Sequence, residues 1–127
     1  LKGPITAADT EYAIEAGVDG IIVSNHGGRT LDTLPAASDI LPPVVRQVAG
    51  RIPVLMDGGI RRGTDILKAL AMGACAVLIG RPYIYGLAAA GEIGVIHVLN
   101  ILRGELESAM TLTGCRTLAE IDHEVLW

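Results

Sequence analysis

The sequence predicts an α/β fold, because short β-branched strands alternate along the chain with stretches of helical character. The strands are apolar on both faces and each is followed by a helix, a pattern typical of a parallel sheet covered by helices. The 127 residues hold three complete strand–helix units and the stump of a further strand at residues 1–3. A closed (β/α)8 barrel needs eight strands and about 250 residues. The sequence therefore predicts the C-terminal half of such a barrel, with parallel strands. The alternative is a small, complete, open α/β sheet.

The first half of the chain predicts a helix, a strand and a second helix. AADTEYAIEA predicts a helix over 7–16, and the glycine that follows it closes that helix. GIIV predicts a short buried strand over 20–23. Apolar residues at helical spacing predict a helix over 39–48. Pro42 and Pro43 then fall in its first turn, where proline is tolerated.

The second half repeats the pattern. PVLM predicts a strand over 53–56, and TDILKALAM predicts a helix over 64–72 with Thr64 as its N-cap. AVLI predicts a third strand over 76–79, and a long helix is expected over 94–112. The order of elements is therefore the one that parallel α/β units require.

Composition excludes several classes of protein. A net charge of −4 and 3% aromatic residues leave no basic, aromatic stripe for a nucleic acid. Cys75 and Cys115 lie far apart without a Cys-x-x-Cys or His-rich partner, so neither a disulfide scaffold nor a metal site is expected. Cys75 stands in an apolar run and is expected to be buried. The longest apolar stretch, 66–80, is interrupted by Lys68 and is too short to span a bilayer.

Unusual residues follow every predicted strand, at the strand ends where barrels place their active sites. These residues are Lys2, Ser24-Asn25-His26, Asp57-Gly58-Gly59 and Gly80-Arg81. A histidine such as His26 can act as a general base near neutral pH. Arg29, three residues later, can hold a carboxylate by two parallel hydrogen bonds. The pair predicts a site for a small acid that carries an abstractable proton beside its carboxylate. The alternative is that His26 is only a turn or capping residue.

The loops DGGIRRG and GRP predict a phosphate site. Gly58 and Gly59 let the backbone approach a ligand and present N–H donors. The helix expected from Thr64 adds a positive dipole end, while Arg61 and Arg81 add guanidinium groups. No Rossmann or P-loop motif is present, so a mononucleotide such as FMN fits better than a dinucleotide or ATP. The alternative is a tight turn with solvated arginines.

Four segments together resemble the FMN-dependent α-hydroxy-acid oxidase and dehydrogenase family. They are LKG, SNHGGRTLD, DGGIRRGTDILKALAMGA and IGRPYIYGLAAAGEIGV. The resemblance covers essentially the whole chain, and the family includes glycolate oxidase, L-lactate dehydrogenase, lactate oxidase and mandelate dehydrogenase. It implies oxidation of an L-2-hydroxy acid to the 2-oxo acid by FMN, with oxygen, a quinone or a cytochrome as the final acceptor. The alternatives are another phosphate-binding barrel, such as a diphosphate isomerase or an IMP dehydrogenase-like enzyme, and a non-catalytic flavin-binding fragment.

By position, the resemblance implies a role for each unusual residue. His26 is similar to the family's catalytic base, and Arg29 to the residue that binds the substrate carboxylate. Lys2 is similar to the lysine at the flavin's pyrimidine edge, and Ser24 to a flavin-contacting position. The segments that resemble those holding the ribityl chain and phosphate are Asp57, Gly58, Gly59, Ile60, Arg61, Gly80 and Arg81. Arg62 is expected to face outward.

The family pattern also includes an N-terminal half, with tyrosines near the substrate and an aspartate that orients the histidine. We therefore expect residues 1–127 to be the C-terminal half of an FMN-binding barrel domain and to need the other half as a partner. The resemblance implies a homo-oligomer, a tetramer in many members. The chain ends in Val-Leu-Trp rather than a peroxisomal Ser-Lys-Leu type of signal, which favours a cytoplasmic location.

Overall fold

A computed structural model describes residues 1–126 as a three-stranded parallel sheet with helices packed against it. The strands are β1 (Ile21–Val23), β2 (Val54–Asp57) and β3 (Ala76–Leu78), in the order β1-β2-β3. The helices are α1 (Ala7–Glu15), α2 (Ala37–Val48), α3 (Gly63–Ala71) and α4 (Arg81–Thr113). Short 3₁₀ turns lie at His26–Gly28, Leu118–Glu120 and His123–Val125. The predicted order of elements is confirmed.

The strand stump at the chain start is also confirmed. Lys2 forms a parallel bridge with Ile22 of β1. The Gly3 N–H donates to the Ile22 carbonyl at 3.0 Å, and the Ile22 N–H donates to the Leu1 carbonyl at 2.8 Å. Four chain segments therefore run side by side with their carboxyl ends at one edge of the sheet.

The two faces of the sheet are buried to different degrees. Ile21, Val23, Val54 and Met56 are buried in the core, together with the apolar face of α2. The intervening row, which includes Ile22 and its partner Leu55, is only half-buried. Within residues 1–126, the helices therefore cover one face of the sheet more fully than the other. In a closed barrel this second face points into the barrel interior, which the opposite strands fill.

Helix boundaries differ from the predicted ones in two informative places. α2 begins at Ala37, so Pro42 and Pro43 lie in its second turn and not its first. Their missing N–H groups leave the carbonyls of Ser38 and Asp39 without a helical donor, which is tolerable because neither residue is buried. The N-cap of α3 is Arg62, not Thr64, because Asp65 closes the first turn.

The long helix α4 begins at Arg81, well before the expected residue 94. Glycines at 86, 91 and 94 lower the helix propensity of this segment and hid its start from sequence reasoning. The backbone of α4 is broken at Ala90 and Gly91, where φ is −152° and 59°. The two parts of α4 approach each other closely at Gly86 and Gly94. A Cβ on Gly94 would lie only 1.9 Å from the Gly86 carbonyl oxygen, so only glycine fits there.

Hydropathy also singles out α4. By length and composition it could cross a membrane, and among residues 1–126 it is the one helix that could. The break at Ala90 and Gly91 divides that length between two shorter helices. The second of these packs against α3.

Both cysteines are unpaired, and the expectation that Cys75 is buried is wrong. Cys115 is buried, whereas Cys75 is exposed. Cys75 immediately precedes β3, the edge strand, where no further strand of residues 1–126 covers it. The prediction of burial failed because an apolar run in sequence does not reveal which strand lies at an edge.

One ion pair and one hydrogen bond connect α1 to the end of α2 and the residues after it. The Arg51 guanidinium donates to both oxygens of Glu11, at 2.8 and 2.5 Å, and the Gln47 amide donates to the same carboxylate at 2.7 Å. The hydrogen bonds from Arg51 and Gln47 lower the pKa of Glu11 to about 2. The pair is solvent-accessible, so its stabilising effect is screened by water and salt.

Candidate functional site

Three of the predicted site residues contact one another at the carboxyl edge of the sheet. The Lys2 ammonium lies 2.5 Å from Asp57 Oδ2, and the Ser24 hydroxyl donates to Asp57 Oδ1. The Ser24 Oγ in turn accepts the main-chain N–H of His26 at 3.0 Å. These contacts exist because Lys2, Ser24 and Asp57 end or follow three neighbouring strands. We refer to them as the Lys2–Asp57–Ser24 network.

The turn that carries His26 has an unusual backbone. His26, Gly27 and Gly28 all have positive φ values, of 58°, 69° and 70°. Glycine adopts this conformation without penalty, which explains the two glycines, but a non-glycine residue there costs roughly 1–2 kcal/mol. The hydrogen bond from the His26 N–H to Ser24, at about 1 kcal/mol, offsets much of that cost.

Asn25 holds the same turn from the other side, and sequence reasoning gave it no role. Its Oδ1 accepts the Gly27 N–H at 3.1 Å, and its Nδ2 donates to the Pro35 carbonyl at 3.2 Å. Asparagine is a common turn residue because its side chain bonds the backbone two residues on, so the sequence did carry this signal. Asn25 therefore closes the loop between β1 and α2.

His26 and Arg29 lie on this turn and are both exposed. Within residues 1–126, the His26 ring and the Arg29 guanidinium make no hydrogen bond or ion pair with another side chain. No carboxylate of the described residues orients the His26 ring. Both side chains are therefore available to a ligand or to groups from outside these residues.

A cleft of about 480 Å³ opens beside the turn. Its lining includes Gly58, Gly59, Ile60, Arg61 and Arg81, all of which were predicted to contact the cofactor. Lys68 and Asp65 also line it, and Lys68 had been assigned no role. The charged lining is therefore three cations and one carboxylate. Gly58 and Gly59 have φ values of 93° and 81°, and a Cβ on Gly59 would meet open space.

One part of the predicted phosphate site, the start of α3, is already occupied by carboxylates. The Gly63 N–H donates to Glu105 at 2.8 Å, and the Arg61 and Arg62 N–H groups, just before the helix, both donate to Asp65 at 2.9 Å. The Gly63 hydrogen bond lowers the pKa of Glu105. The expected dipole end of α3 is thus neutralised by carboxylates. At the start of α4, by contrast, the N-cap is Gly80, which has no side chain to cap the first amides.

The predicted site residues therefore fall into two adjoining groups. One group lines the cleft and consists of Gly58, Gly59, Ile60, Arg61 and Arg81. The other group does not line it and consists of Lys2, Ser24, Asp57, His26, Arg29 and Gly80. Asn25 joins the groups, since it lines the cleft and lies 3.3 Å from where a Cβ on Gly58 would stand. Arg62 pairs with Glu105 at 3.1 Å and is absent from the cleft lining, as expected.

Comparison with known proteins gives one family. The family model described as FMN-dependent dehydrogenase matches residues 1–127. A peroxisomal (S)-2-hydroxy-acid oxidase of Oryza sativa subsp. japonica is 62% identical over 121 residues, which is 95% of this chain and 33% of that protein. The 2-hydroxyacid oxidase 2 of Bos taurus is 55% identical over 126 residues, which is 99% of this chain and 36% of that protein.

Solved structures agree with the sequence comparisons. A mandelate oxidase crystallised with 3,3-difluoro-2-hydroxy-3-phenylpropionic acid superposes with a TM-score of 0.93 at 47% identity, over 97% of this chain and 37% of that one. Another mandelate oxidase structure, of a Y128F mutant, contains an FMN adduct and has a TM-score of 0.90. The α/β fold with parallel strands, as part of a barrel, is confirmed. The chain spans about a third of the length of the curated relatives that it matches.

Proposed function

Because the chain belongs to the FMN-dependent dehydrogenase family, as its sequence motifs suggested, we propose that it forms the C-terminal half of an FMN-binding barrel that oxidises an L-2-hydroxy acid to the 2-oxo acid. The main observation in support is the position of the Lys2–Asp57–Ser24 network and of His26 next to a cationic, glycine-lined cleft. The relatives from rice and cattle are named as 2-hydroxy-acid oxidases, and mandelate oxidase shares the fold.

The residues of the cleft fit the phosphate end of FMN. Arg61 and Arg81 would bind the phosphate by charge-assisted hydrogen bonds, and Gly58 and Gly59 would leave room for the ribityl chain. Lys2 would place its charge beside the flavin's pyrimidine edge, where negative charge develops during reduction. When bound, FMN supplies the two-electron acceptor of the reaction.

The turn after β1 would handle the substrate. Arg29 binds the carboxylate of the 2-hydroxy acid by a bidentate pair, which fixes the orientation of the α-carbon. His26 accepts a proton from the substrate on a ring nitrogen as general base. Both residues are exposed on one short turn, which is the placement that these two roles need.

The remaining parts of the proposal concern partners and location. The N-terminal half of the barrel would supply the carboxylate that orients His26 and the missing strands. We propose oxygen as the electron acceptor, in place of a quinone or a cytochrome, because the relatives are named as oxidases. We also propose a homo-oligomer, testable by light scattering. We propose a cytoplasmic location. Because plant relatives are named peroxisomal, imaging against a peroxisomal marker tests this.

The first experiment is spectroscopic. The assembled barrel, meaning this chain together with the N-terminal half, should show flavin absorbance bands when purified. Anaerobic addition of glycolate, lactate and mandelate in turn should bleach those bands with at least one of the three acids. Bands that persist with every acid would contradict the proposed reaction but leave the phosphate site standing.

The role of His26 has its own test. In the assembled barrel we expect His26→Asn to retain FMN and to slow flavin reduction by the 2-hydroxy acid by roughly 10²–10⁴-fold, because the general base is lost. His123→Asn is the matched control, since His123 is exposed and its Nε2 lies 3.4 Å from the neighbouring Glu124 carboxylate. Stopped-flow absorbance measures both rates. Equal rates in the parent and in His26→Asn would refute the assignment and favour a non-catalytic, flavin-binding role.

A further inference from the structure

We propose that Ser24 is a positioning residue that acts on the reaction through the main chain of His26. The inference rests on the proposed function, since it assigns to Ser24 an effect on the general base. The resemblance implied a flavin contact for Ser24, and a role toward His26 is additional to that.

The contacts around Ser24 carry the argument. Ser24 is only 3% exposed, so its hydroxyl is buried among protein groups. The hydroxyl donates its single proton to Asp57 Oδ1, which leaves its lone pairs directed elsewhere. One lone pair accepts the His26 N–H at 3.0 Å. The Ser24 hydroxyl is therefore fixed at both ends.

The conformation of His26 explains why this contact matters. With φ at 58°, His26 stands in a backbone region that non-glycine residues avoid. If the Ser24 acceptor is removed, this bond no longer offsets the cost, and we expect His26 to shift toward the extended or right-handed region despite the bonds that Asn25 makes to the turn. Such a change would swing the Cα–Cβ bond and carry the imidazole away from the substrate. Displacing a catalytic group by about 1 Å can cost about a hundredfold in rate.

Asp57 couples this turn to the other side of the site. One of its oxygens holds the Ser24 hydroxyl and the other holds the Lys2 ammonium at 2.5 Å. The carboxylate side chain is only 16% exposed, so its position is largely set by these neighbours. The arrangement fixes the His26 backbone relative to Lys2, the residue proposed to face the flavin.

A double-mutant cycle in the assembled, FMN-loaded barrel tests the proposal. We expect Ser24→Ala to retain FMN and to slow anaerobic flavin reduction about a hundredfold. In a His26→Asn background, the same change should alter the rate by no more than about twofold, the usual error of additivity. Ser24→Thr keeps the hydroxyl and should recover most of the rate. Ser108→Ala is the control, because its exposed hydroxyl donates to the Gly104 carbonyl at 2.8 Å within α4, away from the site.

Ser24→Cys provides a second route if Ser24→Ala does not fold, because a thiol fills similar space but accepts hydrogen bonds weakly. It should behave as Ser24→Ala does. Equal slowing by Ser24→Ala in both backgrounds, or loss of FMN from Ser24→Ala and Ser24→Cys alike, would overturn the proposal, since Ser24 would then serve the flavin alone. A parent protein that no 2-hydroxy acid reduces would instead refute the proposed function. A parent that is reduced, with a slow His26→Asn and a fast Ser24→Ala, would refute only this inference.

Discussion

Arg61 and Arg62 are neighbours in sequence but have different surroundings, so we expect only one of them to bind the cofactor. Arg61 lines the cleft, whereas Arg62 pairs with Glu105 at 3.1 Å and lies outside the cleft lining. We expect Arg61→Gln to weaken FMN binding by about tenfold or more, because it removes a charge-assisted hydrogen bond to phosphate. Fluorescence titration of the deflavinated, assembled barrel with FMN measures the affinity.

Arg62→Gln is the matched control for this change. It removes the same charge one residue away and should leave the FMN affinity within about twofold of the parent value. A larger loss in Arg62→Gln than in Arg61→Gln would show that the two arginines exchange roles when the flavin is bound.

At the scale of elements, α4 depends on two glycines that let its parts approach closely. A Cβ on Gly94 would lie 1.9 Å from the Gly86 carbonyl oxygen, and one on Gly86 would lie 2.5 Å from the Gly94 carbonyl oxygen. We expect Gly94→Ala to destabilise the assembled barrel by about 1–3 kcal/mol, because the backbone must move apart. Denaturant unfolding followed by circular dichroism measures the change.

Gly104→Ala is the control on the same helix. Nothing lies within 4 Å of a Cβ at Gly104, so alanine should be neutral there or stabilise the helix by up to about 1 kcal/mol. Equal effects of the two substitutions would show that helix propensity alone, and not the approach of the two parts of α4, governs this region.

At the scale of the molecule, one sheet edge and one sheet face lack neighbours within residues 1–126. β3 pairs only with β2, and apolar side chains such as Ile93 and Leu99 are 76% and 49% exposed. We expect the chain alone to bind FMN weakly and to associate with itself, because the unpaired edge of β3 and the exposed apolar side chains of α4 can pack against a second copy. Size-exclusion chromatography and flavin fluorescence measure the two properties.

Mixing this chain with the rest of a barrel is the complementary experiment. The portion of the rice relative that this chain does not cover should restore flavin binding and substrate-dependent bleaching when it is refolded with the chain. That portion alone is the control and should do neither. Full FMN affinity and turnover in the isolated chain would contradict the proposal that it is half of a barrel.

The sequence by itself determined the order of strands and helices, the strand stump and the cluster of unusual residues at strand ends. These follow from local patterns: apolar periodicity, turn glycines and motif spacing. Only the tertiary structure decided which of those residues touch, since the Lys2–Asp57–Ser24 contacts join positions up to 55 residues apart. It also showed that Cys75 is exposed and that Glu105 and Asp65 occupy the start of α3. Burial and capping depend on neighbours distant in sequence, which no local pattern reports.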